Sequence, residues 1–167
     1  MGIKNEIIAC QSCPLYKNMD YGPMTPMWEG MPKFFFICDL KITKQMDETR
    51  EFLTELEYTI LTRRLQSAGI NGWYFTPFIK CIHNNKISEK KECARIWLLK
   101  EFCDLQTALR RQGCEPVKGV IGLGKQIKKY NKLFPVEQFD APSALCGSPK
   151  KLDQFELEMK KLNDQLQ

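Results

Sequence analysis

The chain has a single histidine in 167 residues, and no uninterrupted apolar run long enough to cross a bilayer. A membrane-spanning helix takes about 20 consecutive apolar residues, so a span is excluded. The opening MGIKNEIIACQSC lacks the apolar stretch of a secretory signal, and Glu6 stands where a myristoylation signal requires Ser or Thr. The sequence therefore reads as cytoplasmic, with no membrane partner. Gly122-x-Gly124 lacks the continuation of a G-x-G-x-x-G fingerprint, which argues against a dinucleotide site. With 43% apolar and 27% charged residues the chain is neither disordered, collagen-like nor a coiled coil. Beside its one histidine it carries eight cysteines. A chain without a secretion signal does not keep disulfides, so paired cysteines here read as metal or cluster ligands. The charge excess is mild: 25 Lys+Arg against 20 Asp+Glu gives +5, which permits a nucleic-acid partner without requiring one.

Residues 14–32 hold four prolines and two glycines and read as loop. Phe34 to Asp39 (FFFICD) is a continuous apolar run bounded by breakers, as in a strand buried on both faces. Residues 47–68 read as a helix, with Leu53, Leu56, Ile60, Leu61, Leu65 and Ala68 on one face and Gly69 just beyond its end. Asn71-Gly72 turns the chain into a second strand, Trp73 to Ile79, which Pro77 ends or bulges. A polar loop follows over Ile82 to Ile87. A long helix then starts with Ser88 as N-cap, carries Ile96, Leu99, Phe102, Leu105 and Leu109, and stops near Gly113. Val117–Leu123 is a third strand, Gly124 opens a basic helix to about Leu133, and Val136–Phe139 is a short extended piece. Residues 150–166 form an amphipathic helix with Leu152, Phe155, Met159, Leu162 and Leu166 inside. Alternating strands and helices predict one α/β domain over residues 1–167. Its three-layer αβα architecture has a mainly parallel sheet of about four strands, preceded by a cysteine hairpin.

Cys10-x2-Cys13 is a ligand hairpin: two intervening residues let both sulfurs face one centre. Cys81 and Cys93 are the next pair, each at the end of an element. Four thiolates suit a tetrahedral zinc or a [4Fe–4S] cluster. The plain alternative makes Cys81 and Cys93 buried core thiols. Cys38, Cys103, Cys114 and Cys146 are expected in the core, with Cys103 a weaker substitute for Cys93.

The order of motifs resembles the iron–sulfur (family 4) uracil-DNA glycosylases. That family has C-x2-C followed by Leu, a strand running into G-E-A-P-G, a strand ending in N-V-V-K-C, a later Cys that opens a helix, an apolar strand into L-G, and a late H-P-S. This chain offers Cys10-Gln-Ser-Cys13-Pro-Leu-Tyr, Trp28-Glu-Gly30 before FFFICD, and Pro77-Phe-Ile-Lys80-Cys81. It continues with Glu92-Cys93-Ala-Arg-Ile-Trp97-Leu98, Gly119-Val-Ile-Gly-Leu-Gly124 and Ala141-Pro-Ser-Ala-Leu145. The resemblance implies a glycosylase-like fold in which Cys10, Cys13, Cys81 and Cys93 hold a [4Fe–4S] cluster.

The departures fall on the chemistry. G-E-A-P-G is replaced by Cys38-Asp-Leu-Lys-Ile42, which keeps an acid at Asp39 but loses both glycines, so Leu40 and Ile42 are expected to crowd the pocket. The Asn that reads the uracil edge in the family is Pro77, which has no side-chain donor or acceptor. The His that stabilises the departing base is Ala141, and the stacking aromatic belongs near Phe52–Leu53. One oxyanion-type donor is worth roughly 10²–10³ in rate, so two such losses argue against uracil excision. The lone His83 reads as a solvated loop residue rather than a replacement. Glycosylase-like domains of this kind accompany family A DNA polymerases in phages and mobile cassette elements. The resemblance therefore implies a non-catalytic accessory protein that meets DNA, single-stranded or template–primer, and such a polymerase, assisting replication or primer synthesis. The alternative is an active glycosylase on uracil or another modified base.

Two further features bear on partners. Lys125, Lys128, Lys129 and Lys132 share one helical face behind the glycine turn and, with Ser143 of the Ala141-Pro-Ser segment, are candidate nucleic-acid contacts; the alternative is a solvated helix face. Met19, Met24, Met27 and Met31 crowd a Pro-rich loop with Tyr16, Tyr21 and Trp28, either as a docking surface or as a cover over the cluster and the sheet edge.

Overall fold

The structure is a computed structural model that describes residues 2–82, 87–125, 127 and 135–166. Its sheet has the order β1-β3-β2-β4-β5, from Met27–Glu29 (β1), Phe34–Cys38 (β2), Trp73–Pro77 (β3), Gly119–Leu123 (β4) and Glu137–Phe139 (β5). Four strands are parallel, and β1 pairs antiparallel with β3 through Trp28 opposite Tyr74. The sheet thus has five strands rather than four. The additional one lies inside the stretch whose prolines and glycines read as loop, where a 3₁₀ turn, Pro14–Asn18, also forms.

Every residue of β2 and β3 is buried, which is why their sequences show no polar alternation. Helices α3 (Glu55–Ser67), α5 (Pro142–Cys146) and α6 (Pro149–Gln165) contact one another, as do α1 (Ile3–Ile8) and α4 (Ile87–Arg111). The strand pleat sends alternate side chains to the two groups. Phe75 meets Tyr58 of α3, whereas Phe35 packs edge-on against Phe102 of α4 and Tyr74 bonds to Glu101 of the same helix. The arrangement is α/β with helices flanking a mostly parallel sheet, in keeping with three αβα layers.

The expected 47–68 helix is two helices. The first, α2 (Lys44–Thr49), stops at Arg50, whose φ of 62° is left-handed. The Arg50 guanidinium makes that turn worthwhile by donating to the carbonyls of Tyr21 (2.7 Å), Gly22 (2.6 Å) and Pro23 (3.3 Å). Helix α3 then restarts behind a capping box: Thr54 Oγ1 accepts from the Glu57 N–H, and Glu57 Oε2 accepts from the Thr54 N–H at 2.9 Å. Leu53 is buried ahead of α3, and Leu56 is 69% exposed because the apolar face of α3 begins later, with Leu61 and Leu65. The helix ends as expected at Gly69 (φ 77°), where the Ile70 N–H reaches the Leu65 carbonyl and the Gly69 N–H that of Gln66.

Two other apolar stripes face the core as expected, each with one exception. In α4 Leu105 and Leu109 are buried and Ile96 and Phe102 pack on the core, but Leu99 is exposed and its neighbour Leu98 is buried. In α6 Leu152, Phe155 and Met159 are buried, while Leu166 is exposed and Asn163 takes the last core position. The Asn163 amide donates to the Ala68 carbonyl at 3.2 Å, so a polar side chain fastens the end of α6 to the cap of α3. Of the four expected core thiols Cys38 is buried, Cys114 and Cys146 are half-buried, and Cys103 is exposed. No described helix is long and apolar enough to cross a membrane.

Candidate metal centre and strand-end pocket

Cys10 follows the last turn of α1, where its N–H bonds to the Ile7 carbonyl, and Cys13 precedes the 3₁₀ turn. Cys81 lies four residues beyond β3, and Cys93 lies in the second turn of α4. The fold brings these four thiols to one small cavity, shared with Leu15, Pro23, Lys80, Ile96 and Trp97. Cys81 and Cys93 are therefore buried, as the plain alternative held, and they face the hairpin cysteines as well. Among the described residues no group of three or more His, Cys, Asp or Glu is drawn into a shell tight enough for a single metal ion.

The surroundings fit a thiolate-bound group. Burial, followed by repulsion from Cys93, Cys13 and Cys10, pushes the Cys81 thiol well above the usual range. Burial also pushes the Cys93 thiol up to about 11, against the opposing pull of Lys80. Such thiols resist ionisation in isolation, whereas a bound metal supplies the positive charge that makes the thiolates favourable. One N–H donor already addresses a thiol: Trp97 Nε1 donates to Cys10 Sγ at 3.3 Å. Hydrogen bonds of this kind orient thiolate ligands and tune the metal they hold.

The Pro-rich loop covers this cavity. Asn18 Nδ2 donates to the Ile82 carbonyl at 3.0 Å, the Ile82 N–H donates to Met19 Sδ, and the Met24 N–H donates to the Lys80 carbonyl at 2.6 Å. Met19 and Met24 are buried, Met27 lies on β1, and Met31 is exposed. None of the four lines the cavity itself; the loop meets it through Leu15, Tyr16 and Pro23. The loop is held from its other side by α2: Asp47, fully buried, accepts from the N–H groups of Asp20 (2.6 Å) and Tyr21 (3.3 Å), next to the Arg50 bonds described above.

Behind the cavity lies a charged network that sequence reasoning missed. Lys80 is 1% exposed, and its ammonium stands 2.5 Å from Glu101 Oε1. It also donates to Thr76 Oγ1 and to the Pro77 carbonyl at 3.0 Å. Glu101 Oε2 accepts from the hydroxyls of Thr76 (2.6 Å) and Tyr74 (3.2 Å). Two signals for it were present: a lysine inside the apolar run Phe78-Ile79-Lys80-Cys81, and the spacing Cys93, Trp97, Glu101, which puts all three on one face of α4.

A second cavity of about 350 Å³ opens at the carboxyl ends of the parallel strands, lined by Asp39, Leu40, Phe52, Leu53, Glu57 and the Ala141-Pro142-Ser143 turn. It lies where the strand order reverses, between β2 and β4, the usual crevice for ligands in open parallel sheets. Asp39 and Gly124 meet there. Gly124 has φ 133°, and a Cβ on it would stand 2.4 Å from that of Asp39, so the glycine is required by close approach. Of the two residues expected to crowd it, Leu40 lines the space, whereas Ile42 is fully buried and is not among the lining residues. Segments 39–41, 52–57 and 141–143, with Met46, thus converge on one site, and Gly124 packs against its Asp39. Pro77 ends β3 beside Cys38 and is not among the lining residues.

Of the candidate nucleic-acid contacts, Lys125 is exposed in a shallow groove with Phe139, Lys151 and Gln154, and Ser143 sits exposed at the rim of the strand-end pocket. Lys128, Lys129 and Lys132, like His83, lie outside the described residues. The sequence matches no protein-family model and no curated protein.

Proposed function

We propose that this chain is a non-catalytic accessory protein of glycosylase-like architecture, bearing a [4Fe–4S] cluster, that engages DNA and a family A DNA polymerase in replication or primer synthesis. One observation carries the reading: Cys10, Cys13, Cys81 and Cys93 surround one cavity, while the convergent strand-end pocket has Ala141 where the resemblance requires a histidine and no asparagine from β3. A cluster bound by the four thiolates would tie the N-terminal hairpin to the end of β3 and the start of α4. The pocket offers carboxylates and apolar walls, and among its lining residues only Lys41 is a cation able to steady a departing anion.

The test begins with anaerobic purification. Iron and acid-labile sulfide are expected; zinc alone would leave a zinc-stabilised DNA-binding module. The protein is expected to co-purify with a family A polymerase and to change its primer-start activity, and absence of a complex at micromolar concentration would refute the partnership. Lys125→Glu with Lys128→Glu should weaken DNA binding at low salt and flatten its salt dependence.

A second reading is favoured by the openness of the pocket and by Asp39 in its wall: a glycosylase acting on a base other than uracil. Oligonucleotides carrying uracil, hydroxymethyluracil or hypoxanthine separate the two, since release of any base refutes the non-catalytic proposal.

A further inference from the structure

The Lys80–Glu101 pair has no evident structural necessity. A buried ion pair is expensive to desolvate and can often be exchanged for apolar side chains without loss of stability. Its position is more specific than its energy. Lys80 immediately precedes the proposed ligand Cys81. Glu101 continues the α4 face on which Cys93 lies and Trp97 donates to Cys10. The two charges are not equally placed. Lys80 lines the cavity together with Cys10, Cys13, Cys81 and Cys93, whereas Glu101 is not among its lining residues. The side of the pair that the cysteines meet is therefore the positive one.

We propose that Lys80 and Glu101 are positioning residues for the charge of the metal centre: the cation raises the reduction potential of the thiolate-bound cluster, and the carboxylate limits how far. The inference rests on the cluster reading above. On reduction the centre takes one electron from an external reductant, with no sulfur bond broken and no proton moved, so the added negative charge is felt directly by the nearby cation.

The experiment is a redox titration with dithionite, followed by electron paramagnetic resonance, on intact protein purified anaerobically. Glu101→Gln leaves the cation uncompensated and is expected to raise the midpoint. Lys80→Met is expected to lower it. Each change should be at least tenfold in the reduction equilibrium, which is about 59 mV for one electron. General loosening of the site would move both variants the same way, so shifts of one sign, or shifts below twofold, overturn the proposal. If a single variant fails to fold, Lys80→Met with Glu101→Leu removes both charges while keeping the space filled. It is expected to lower the midpoint, since the dominant charge is the cation, and an unchanged midpoint overturns the inference. Wild-type protein with iron and sulfide but unmoved variants refutes this inference alone; zinc without iron refutes it together with the cluster.

Discussion

Truncating Glu101 to alanine isolates the energetics of the buried network. The carboxylate is fully buried, and its ammonium partner is 1% exposed, so solvent does not replace what the substitution removes. Lys80 keeps Thr76 Oγ1 and the Pro77 carbonyl but loses its anion, while the hydroxyls of Tyr74 and Thr76 lose their common acceptor. Breaking a buried pair from one side costs about 3–5 kcal/mol. That is about a fifth or more of the stability of a typical domain, roughly 5–15 kcal/mol. At about 2–4 °C per kcal/mol for a chain of this size, the melting temperature falls by about 6–20 °C. Lys80→Met with Glu101→Leu leaves neither charge and should recover most of the loss, giving a coupling energy of several kcal/mol between two sites that each look severe alone. Anaerobic urea unfolding of Glu101→Ala, of Lys80→Met and Glu101→Leu singly, and of their double variant, with metal content measured in each, supplies the numbers. Additive losses in the double variant would refute the argument, as would a Glu101→Ala cost below about 1 kcal/mol.

If the proposed cluster is present, replacing any of Cys10, Cys13, Cys81 or Cys93 by serine should abolish iron and sulfide retention and yield poorly soluble protein, because metal binding is then folding energy; Cys103→Ser, at an exposed position, should retain both. Arg50→Ala removes three bonds to the covering loop and is expected to cost about 2 kcal/mol, with faster proteolytic cleavage near Tyr21 as the readout. Stability should also fall in alkali. Burial raises the Cys38 thiol and takes that of Cys146 up to about 11, so the folded chain holds protons that the unfolded chain releases from about pH 8.5. Their contribution is intact below that pH and is lost as pH rises through the folded values, and urea midpoints at pH 8, 9.5 and 10.5 should decline in that order.

The parts legible in the sequence were those in which a single local rule decides. FFFIC and WYFTP are buried on both faces, so unbroken apolar runs announced them; Gly69 ended its helix because the turn needs a positive φ. The break after α2 was hidden because a non-glycine residue, Arg50, adopts the left-handed turn, stabilised by carbonyls 27 to 29 positions away. β1 is three residues long among prolines and exists by pairing with β3, a contact that composition does not encode. Within the site, the cysteine spacing was readable, whereas Lys80 and Glu101 lie 21 positions apart and become partners only once α4 packs on the sheet.

The covering loop also sets an order of events. Cys10 and Cys13 are made early, yet Cys93 lies 80 residues beyond Cys13, about 4–16 s of synthesis at roughly 5–20 residues per second. Until β3 and the start of α4 have emerged, the N-terminal hairpin has nothing to dock on, and its two thiols face the surrounding solution as a reactive pair. A nascent chain of this protein therefore passes through a window in which an oxidant can join Cys10 to Cys13. On the proposed cluster, the yield of loaded protein should then depend on the redox state around the ribosome as well as on the supply of metal.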